Sequence, residues 1–213
     1  MSTPLISAIA LKRVCWKTGC PDAGTLAEVI NKVCPLYGIS TLVLHEFLAN
    51  VLHESNEFRQ YEEDLNYTAK RLMEVWPLRF RTLQEALNCA YQPKKLAIKV
   101  YNGRMGNTAP MDGWDFRGSG PIQMTGKSNF ILFASWMDRK FGINKSEQEW
   151  AKLVRTDPYA GMHSACWIFS ISKGLNDEAL RDEMKRIIER INGGFNGLQD
   201  RLKYYELCKR YLA

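Results

Sequence analysis

The chain has 213 residues, of which 46% are apolar and 24% charged, and it carries a formal net charge of +6. This length fits one medium domain. The apolar share excludes disorder over most of the chain, because burial can offset chain entropy. No run approaches the roughly 18 consecutive apolar residues of a bilayer-spanning helix, so stable membrane insertion is not expected. The basic residues are scattered (Arg79/Arg81, Lys94/Lys95, Arg186/Arg190). Without a basic stripe or a reading motif, no nucleic-acid partner is expected. A moderate positive excess suits an anionic polymer such as a cell wall. The start, MSTPLISAIALKRV, has an apolar patch with no basic residue ahead of it. A secretory signal has the opposite order, so folding in a cytoplasm is expected; a weak export element is the alternative.

Several segments in chain order read as helices. Leu42 to Ser55 has apolar residues at helical spacing. Thr68 is a capping residue for AKRLMEVW, which Pro77 stops, and Thr82 caps LQEALNCAY. Pro93 suits the first turn of KKLAIKVY. Asp157-Pro158 opens a strongly apolar stretch, Ala160 to Ile171, expected to be the central buried helix. Asp177 starts a helix to about Ile191, which Asn192-Gly193-Gly194 breaks. A last helix runs from Leu198 to Leu212. Between these, residues 102–126 (NGRMGNTAPMDGWDFRGSGPIQMTG) form a long glycine-rich loop, of a length that is usually functional. The expected architecture is mainly α: one domain over 1–213, with this loop and little or no β-sheet. Residues 1–40 form an N-terminal helical segment of unassigned role.

Six cysteines (15, 20, 34, 89, 166 and 208) include no C-x-x-C pair. Buried free thiols are expected, with a Cys15–Cys20 bridge as the alternative in an oxidising space. His45-Glu46 and His53-Glu54 repeat a dipeptide, but the spacing is not H-E-x-x-H and the two histidines are turned by about 80° on a helical wheel. No metal site and no cofactor are expected. His163 reads as a core histidine.

The sharpest feature is Glu54, three residues after Val51 and seven after Phe47, which places it on or beside the apolar stripe. Desolvation there raises a carboxyl's proton affinity, as a general acid needs. The alternative is a helix-end carboxylate paired with an arginine or leaning into solvent. A second acidic cluster, Glu57, Glu62, Glu63 and Asp64, follows in a less regular segment; it reads either as the other half of a glycosidase pair or as a solvated turn. An inverting pair stands roughly 6.5–9.5 Å apart, leaving room for a water.

The blocks HESNEF, NYTAKRL, NGRMGN, GWDFRGSGPIQMTGKSNF and INGGFNGLQDR occur in this order. Together they resemble the bacteriophage endolysins of glycoside hydrolase family 19, which are chitinase-like enzymes of lysozyme-type fold. The resemblance spans about residues 41–212. It implies Glu54 as general acid, Glu63 as general base and Thr125 as a hydroxyl that positions the attacking water. It implies Gln123 and Asn129 as sugar-binding amides, with Asn192 and Arg201 completing the cleft, and His53 is a further substrate-binding candidate. Trp114 is a candidate for stacking on a sugar, or a plain core tryptophan. Glu62 or Glu57 is an alternative base.

The expected function is inverting hydrolysis of the β-1,4 bonds of peptidoglycan glycan strands by a monomeric lysis enzyme. It would stay in the host cytoplasm until released to the wall, and a holin would provide access. The alternatives are a chitinase, a lytic transglycosylase, or a non-enzymatic wall-binding or membrane-active protein. The last is suggested by the basic final segment RLKYYELCKRYLA, which otherwise reads as an ordinary amphipathic helix.

Overall fold

The computed structural model describes residues 4–212. Among them the chain is mainly helical and has no strand, only two isolated bridges, Glu62 with Ser119 and Ser119 with Met124. α1 (Ala8–Val14) and α2 (Ala23–Val33) start at Ser7 and Asp22, whose side chains accept from Ala10 N–H and Thr25 N–H at 3.1 Å each. Such caps satisfy donors that the first helical turn leaves without partners. A short 3-10 turn (Cys34–Tyr37) leads to α3 (Thr41–Glu54). α4 (Ala69–Val75) is capped by Thr68, and α5 (Leu83–Leu87) by a reciprocal box between Thr82 and Glu85. α6 (Pro93–Tyr101) has its proline in the first turn. The glycine-rich loop is ordered around one short helix, α7 (Asp112–Asp115). Then follow α8 (Lys127–Phe141), α9 (Glu147–Thr156) and α10 (Pro158–Cys166), the last capped by Asp157 and continued by a wider π turn to Ser172.

The helix expected from Asp177 to Ile191 is in fact two: α11 (Asn176–Leu180) and α12 (Met184–Asn192). The break is at Asp182, whose φ of 57° lies in the left-handed region and whose carboxylate accepts from Tyr205 O–H at 2.9 Å. This long-range bond holds a conformation that a helix cannot contain. Gly193, at φ 70°, ends α12, and α13 (Leu198–Tyr211) closes the chain.

The chain divides into two compact units. One holds the chain up to Tyr61, with Gly120–Gln123 and the residues from Leu153 onward; the other holds Glu62–Ser119 and Met124–Lys152. In the first unit α3 is enclosed on nearly every face: Val43, Leu44, Phe47, Leu48, Ala49, Val51 and Leu52 are all buried. α13 packs along it, and α10 packs on α2. The apolar stretch from Ala160 is mostly buried as far as Phe169, while Ile171 at its end is exposed. In the second unit Leu65, Leu72, Phe80, Ala86, Leu96, Ala97 and Val100 form a separate core. There α7 lies so close to α6 that a Cβ on Gly113 would stand 2.7 Å from the Ala97 carbonyl oxygen, which only glycine avoids.

All six cysteines are free thiols, five of them buried. No single helix among the described residues is long and apolar enough to cross a membrane.

Candidate active site

In the first unit the candidate acid stands at the end of α3 and faces α13. The Glu54 carboxylate is paired with the guanidinium of Arg201, whose side chain is only 2% exposed. Arg201 also donates to Asn50 Oδ1 at 2.7 Å and to Asn192 Oδ1 at 3.2 Å. Asn50 lies one helical turn before Glu54, on the same face of α3, so the guanidinium is held by one helix and aimed along another. The neighbouring His53 Nδ1 is 2.6 Å from Asp200 Oδ2, and Asp200 is paired with Lys17. Gly197, at φ 71° before α13, leaves room for the His53 ring, which an added Cβ would strike. Glu54, Asn192 and Arg201 are thus joined through the guanidinium, and His53 lies next to Glu54 on α3.

Glu57 is fully buried and serves no free chemistry. Its carboxylate accepts from Lys17 N–H (2.8 Å), Thr18 N–H (2.6 Å), Thr18 O–H (2.8 Å) and Tyr204 O–H (2.9 Å). Burial pushes this carboxyl up, but those donors outweigh burial and hold it below the ordinary range. As a base it has no lone pair to spare.

In the second unit Glu63 accepts from Tyr101 O–H at 2.6 Å and Gly118 N–H at 3.2 Å. Burial pushes this carboxyl above its ordinary value, against the opposing pull of the Tyr101 hydroxyl, the Gly118 amide and the Arg117 charge. Adjacent Glu62 is half exposed and occupied by Arg117, whose Nε donates at 2.7 Å. The three alternatives therefore separate by environment: Glu57 is saturated, Glu62 ion-paired, and Glu63 desolvated.

The remaining candidates are placed as follows. Thr125 accepts Asn129 Nδ2–H at its backbone oxygen at 2.7 Å, so Asn129, in the first turn of α8, ties a residue just ahead of that helix to it. Gln123 has φ 52° and donates through Nε2 to Gly120 O at 3.1 Å. Trp114 packs on the second unit's core, with the Arg117 guanidinium 3.7 Å from its ring centroid, so one face is already covered. His163 is half-buried, hydrogen-bonded to the Tyr37 hydroxyl at 2.8 Å, and burial pushes it down to about 4. No group of three or more metal-ligating side chains lies together among the described residues.

Sequence reasoning did not single out Asn50, Tyr101, Asp200 or Lys17. Asn50 was open to it, as a polar residue four before Glu54 on an apolar stripe; the other three are joined to the site only by tertiary contacts.

A protein of Haemophilus influenzae described as containing a glycosyl hydrolase family 19 domain is 31% identical to this chain over 161 residues, covering 75% of this chain and 74% of the relative. The chain belongs to glycosyl hydrolase family 19. It is accordingly a glycoside hydrolase. No family model matches the sequence. Chitinase C from Streptomyces griseus superposes with a TM-score of 0.63 at 15% identity, covering 100% of this chain and 94% of that one. A family 19 class IV chitinase from Zea mays does so with 0.58 at 15% identity, covering 99% and 94%. These likenesses establish the fold, which is the chitinase-like, lysozyme-type helical fold that the resemblance implied.

Proposed function

We propose that this hydrolase cleaves β-1,4 bonds of the peptidoglycan backbone with inversion. Glu54 protonates the leaving oxygen, Glu63 takes a proton from the attacking water, and Thr125 orients that water. Gln123, Asn129, Asn192 and Arg201 hold the sugars; Trp114 acts through the loop it anchors rather than as an open platform. The observation that supports a two-carboxyl mechanism is the contrast between them, one clasped by a buried guanidinium and one desolvated beside a hydroxyl, while the choice of Glu54 as the acid follows the family resemblance. Enzymes separate acid and base roles by such contrasts. In this scheme the enzyme works as a monomer in the lysis of a bacterium by a phage. A holin opens the way from the cytoplasm to the wall, and the positive net charge concentrates the enzyme on an anionic envelope.

A second reading exchanges the two roles. It is favoured by the raised proton affinity of Glu63, which suits an acid, and by the cation against Glu54, which suits a base. Substrates with an activated leaving group need no protonation, so the acid's glutamine variant still cleaves them. Azide replaces the water that a missing base would have activated. On the first reading Glu54→Gln loses about 100- to 10,000-fold on peptidoglycan yet keeps its rate on an activated aryl glycoside, and azide rescues only Glu63→Gln. The opposite pattern supports the exchanged roles. Wild-type rates in both variants would refute the pairing altogether. Digestion of chitin oligomers alone, with peptidoglycan untouched, would place the substrate among chitins.

A further inference from the structure

Immediately after the acid's helix, three consecutive non-glycine residues have positive φ: Asn56 (47°), Glu57 (59°) and Phe58 (65°). Each is disfavoured by about 1 kcal/mol or more, and a run of three persists only if tertiary contacts impose it. The contacts are present and come from about forty residues upstream. Lys17 and Thr18 both donate their backbone N–H groups to Glu57, and the Thr18 hydroxyl and Tyr204 complete its shell. In return Arg59 donates to Thr18 O at 2.8 Å and Gly19 O at 3.2 Å. Ser55 Oγ accepts Phe58 N–H at 2.9 Å and donates to Val51 O at 2.6 Å, tying the strained turn back to α3. The Lys17 side chain reaches the other flank of the site through Asp200, which holds His53.

We propose that residues 15–19 form a positioning strap for the end of α3, with Glu57 as the positioning residue through which the strap fixes Glu54 and Lys17 as its second tether. This gives the N-terminal segment, which carries no catalytic motif, a part in the reaction. The proposal rests on Glu54 being one of the reacting carboxyls. Charge-assisted bonds from two successive amides define the direction of the turn more narrowly than apolar packing does. A displacement of about 1 Å at the reacting carboxyl lowers turnover by about a hundredfold.

The test compares wild type with Glu57→Gly, Glu57→Gln and Lys17→Met on solubilised peptidoglycan, together with amide exchange at Lys17 and Thr18. Glycine relieves the left-handed backbone and removes the clamp. A role confined to holding the fold predicts full turnover at temperatures well below melting. The strap predicts that kcat falls about 10- to 100-fold while KM changes less than about twofold, and that both amides lose protection. Glu57→Gln keeps the side-chain shape should glycine loosen the turn, and it is expected to lose kcat in the same way, because an amide nitrogen cannot accept from Thr18. Lys17→Met, which leaves the backbone donors in place, is expected to lose less. Wild-type kcat in folded Glu57→Gly, or unprotected amides in an active wild type, would overturn the strap alone. A wild type inert on glycans would overturn the underlying assignment, and the strap's catalytic role with it.

Discussion

Glu54 and Glu63 are the same chemical group held in two different ways. Glu54 ends a helix and meets a guanidinium buried between Asn50 and Asn192, so its surroundings are ionic and fixed by side chains from two helices. Glu63 lies in an irregular segment of the other unit and meets a tyrosine hydroxyl and one backbone amide, with the Arg117 charge acting on it as well, and burial is the largest influence. Glu57 and Glu63 show what decides a buried carboxyl's proton affinity: four donors hold Glu57 below its ordinary value, whereas burial prevails over the two donors of Glu63.

The largest expected effect comes from removing the charged donor. Arg201→Met strips the partner from Glu54 and leaves Asn50 and Asn192 facing an apolar side chain. We expect a loss of about 3 kcal/mol in unfolding free energy, measured by denaturant titration, together with loss of glycan cleavage. Unchanged stability would mean that the guanidinium contributes nothing net.

A third buried carboxyl supplies a case in which burial prevails. Glu46, in the middle of α3, is fully buried, and burial pushes its carboxyl up to about 7 against the opposing pull of the Tyr205 hydroxyl. The folded chain therefore binds this proton more tightly than the unfolded chain, whose ordinary value is 4.5. Stability is lost as pH rises between those values, and the penalty is complete above about 7. Glu46→Gln is expected to stabilise the protein by about 1–3 kcal/mol at pH 8 and by almost nothing at pH 4. Thermal melts at the two pH values measure this, and an equal gain at both would contradict it.

The smallest effect sharpens the neutral side of the comparison. The Tyr101 hydroxyl favours the ionised form of Glu63, so Tyr101→Phe moves this carboxyl further up. If Glu63 is the base, the acid limb of the pH–rate profile shifts to higher pH by about half a unit to one unit. If Glu63 is the acid, the alkaline limb moves to higher pH instead and the acid limb stays in place.

Much of the fold was legible because helix starts are local. Thr68, Thr82 and Asp157 open their helices through side chains that reach only three residues along, and Pro93 opens its own through the fixed backbone angle of a first-turn proline. α8 begins after Gly126 with no capping side chain, and so carries no such mark. The break at Asp182 depends on a hydroxyl 23 residues away, and the turn at Glu57 on amides about 40 residues away. Neither contact leaves a trace in spacing. In the site, the helical stripe located Glu54, and the family blocks supplied Arg201, Asn192 and Glu63. The sequence did not point to burial acting on Glu63, because Tyr101 and the core around it come from α6.

The most direct test of the central claim is the configuration of the sugar released first. Digestion of soluble glycan strands followed continuously by proton nuclear magnetic resonance distinguishes the anomers before they interconvert. Water delivered by a base to the face opposite the leaving group predicts that the α anomer appears first from a β-linked strand. Initial release of the β anomer, or of an anhydro sugar with no reducing end, would contradict it.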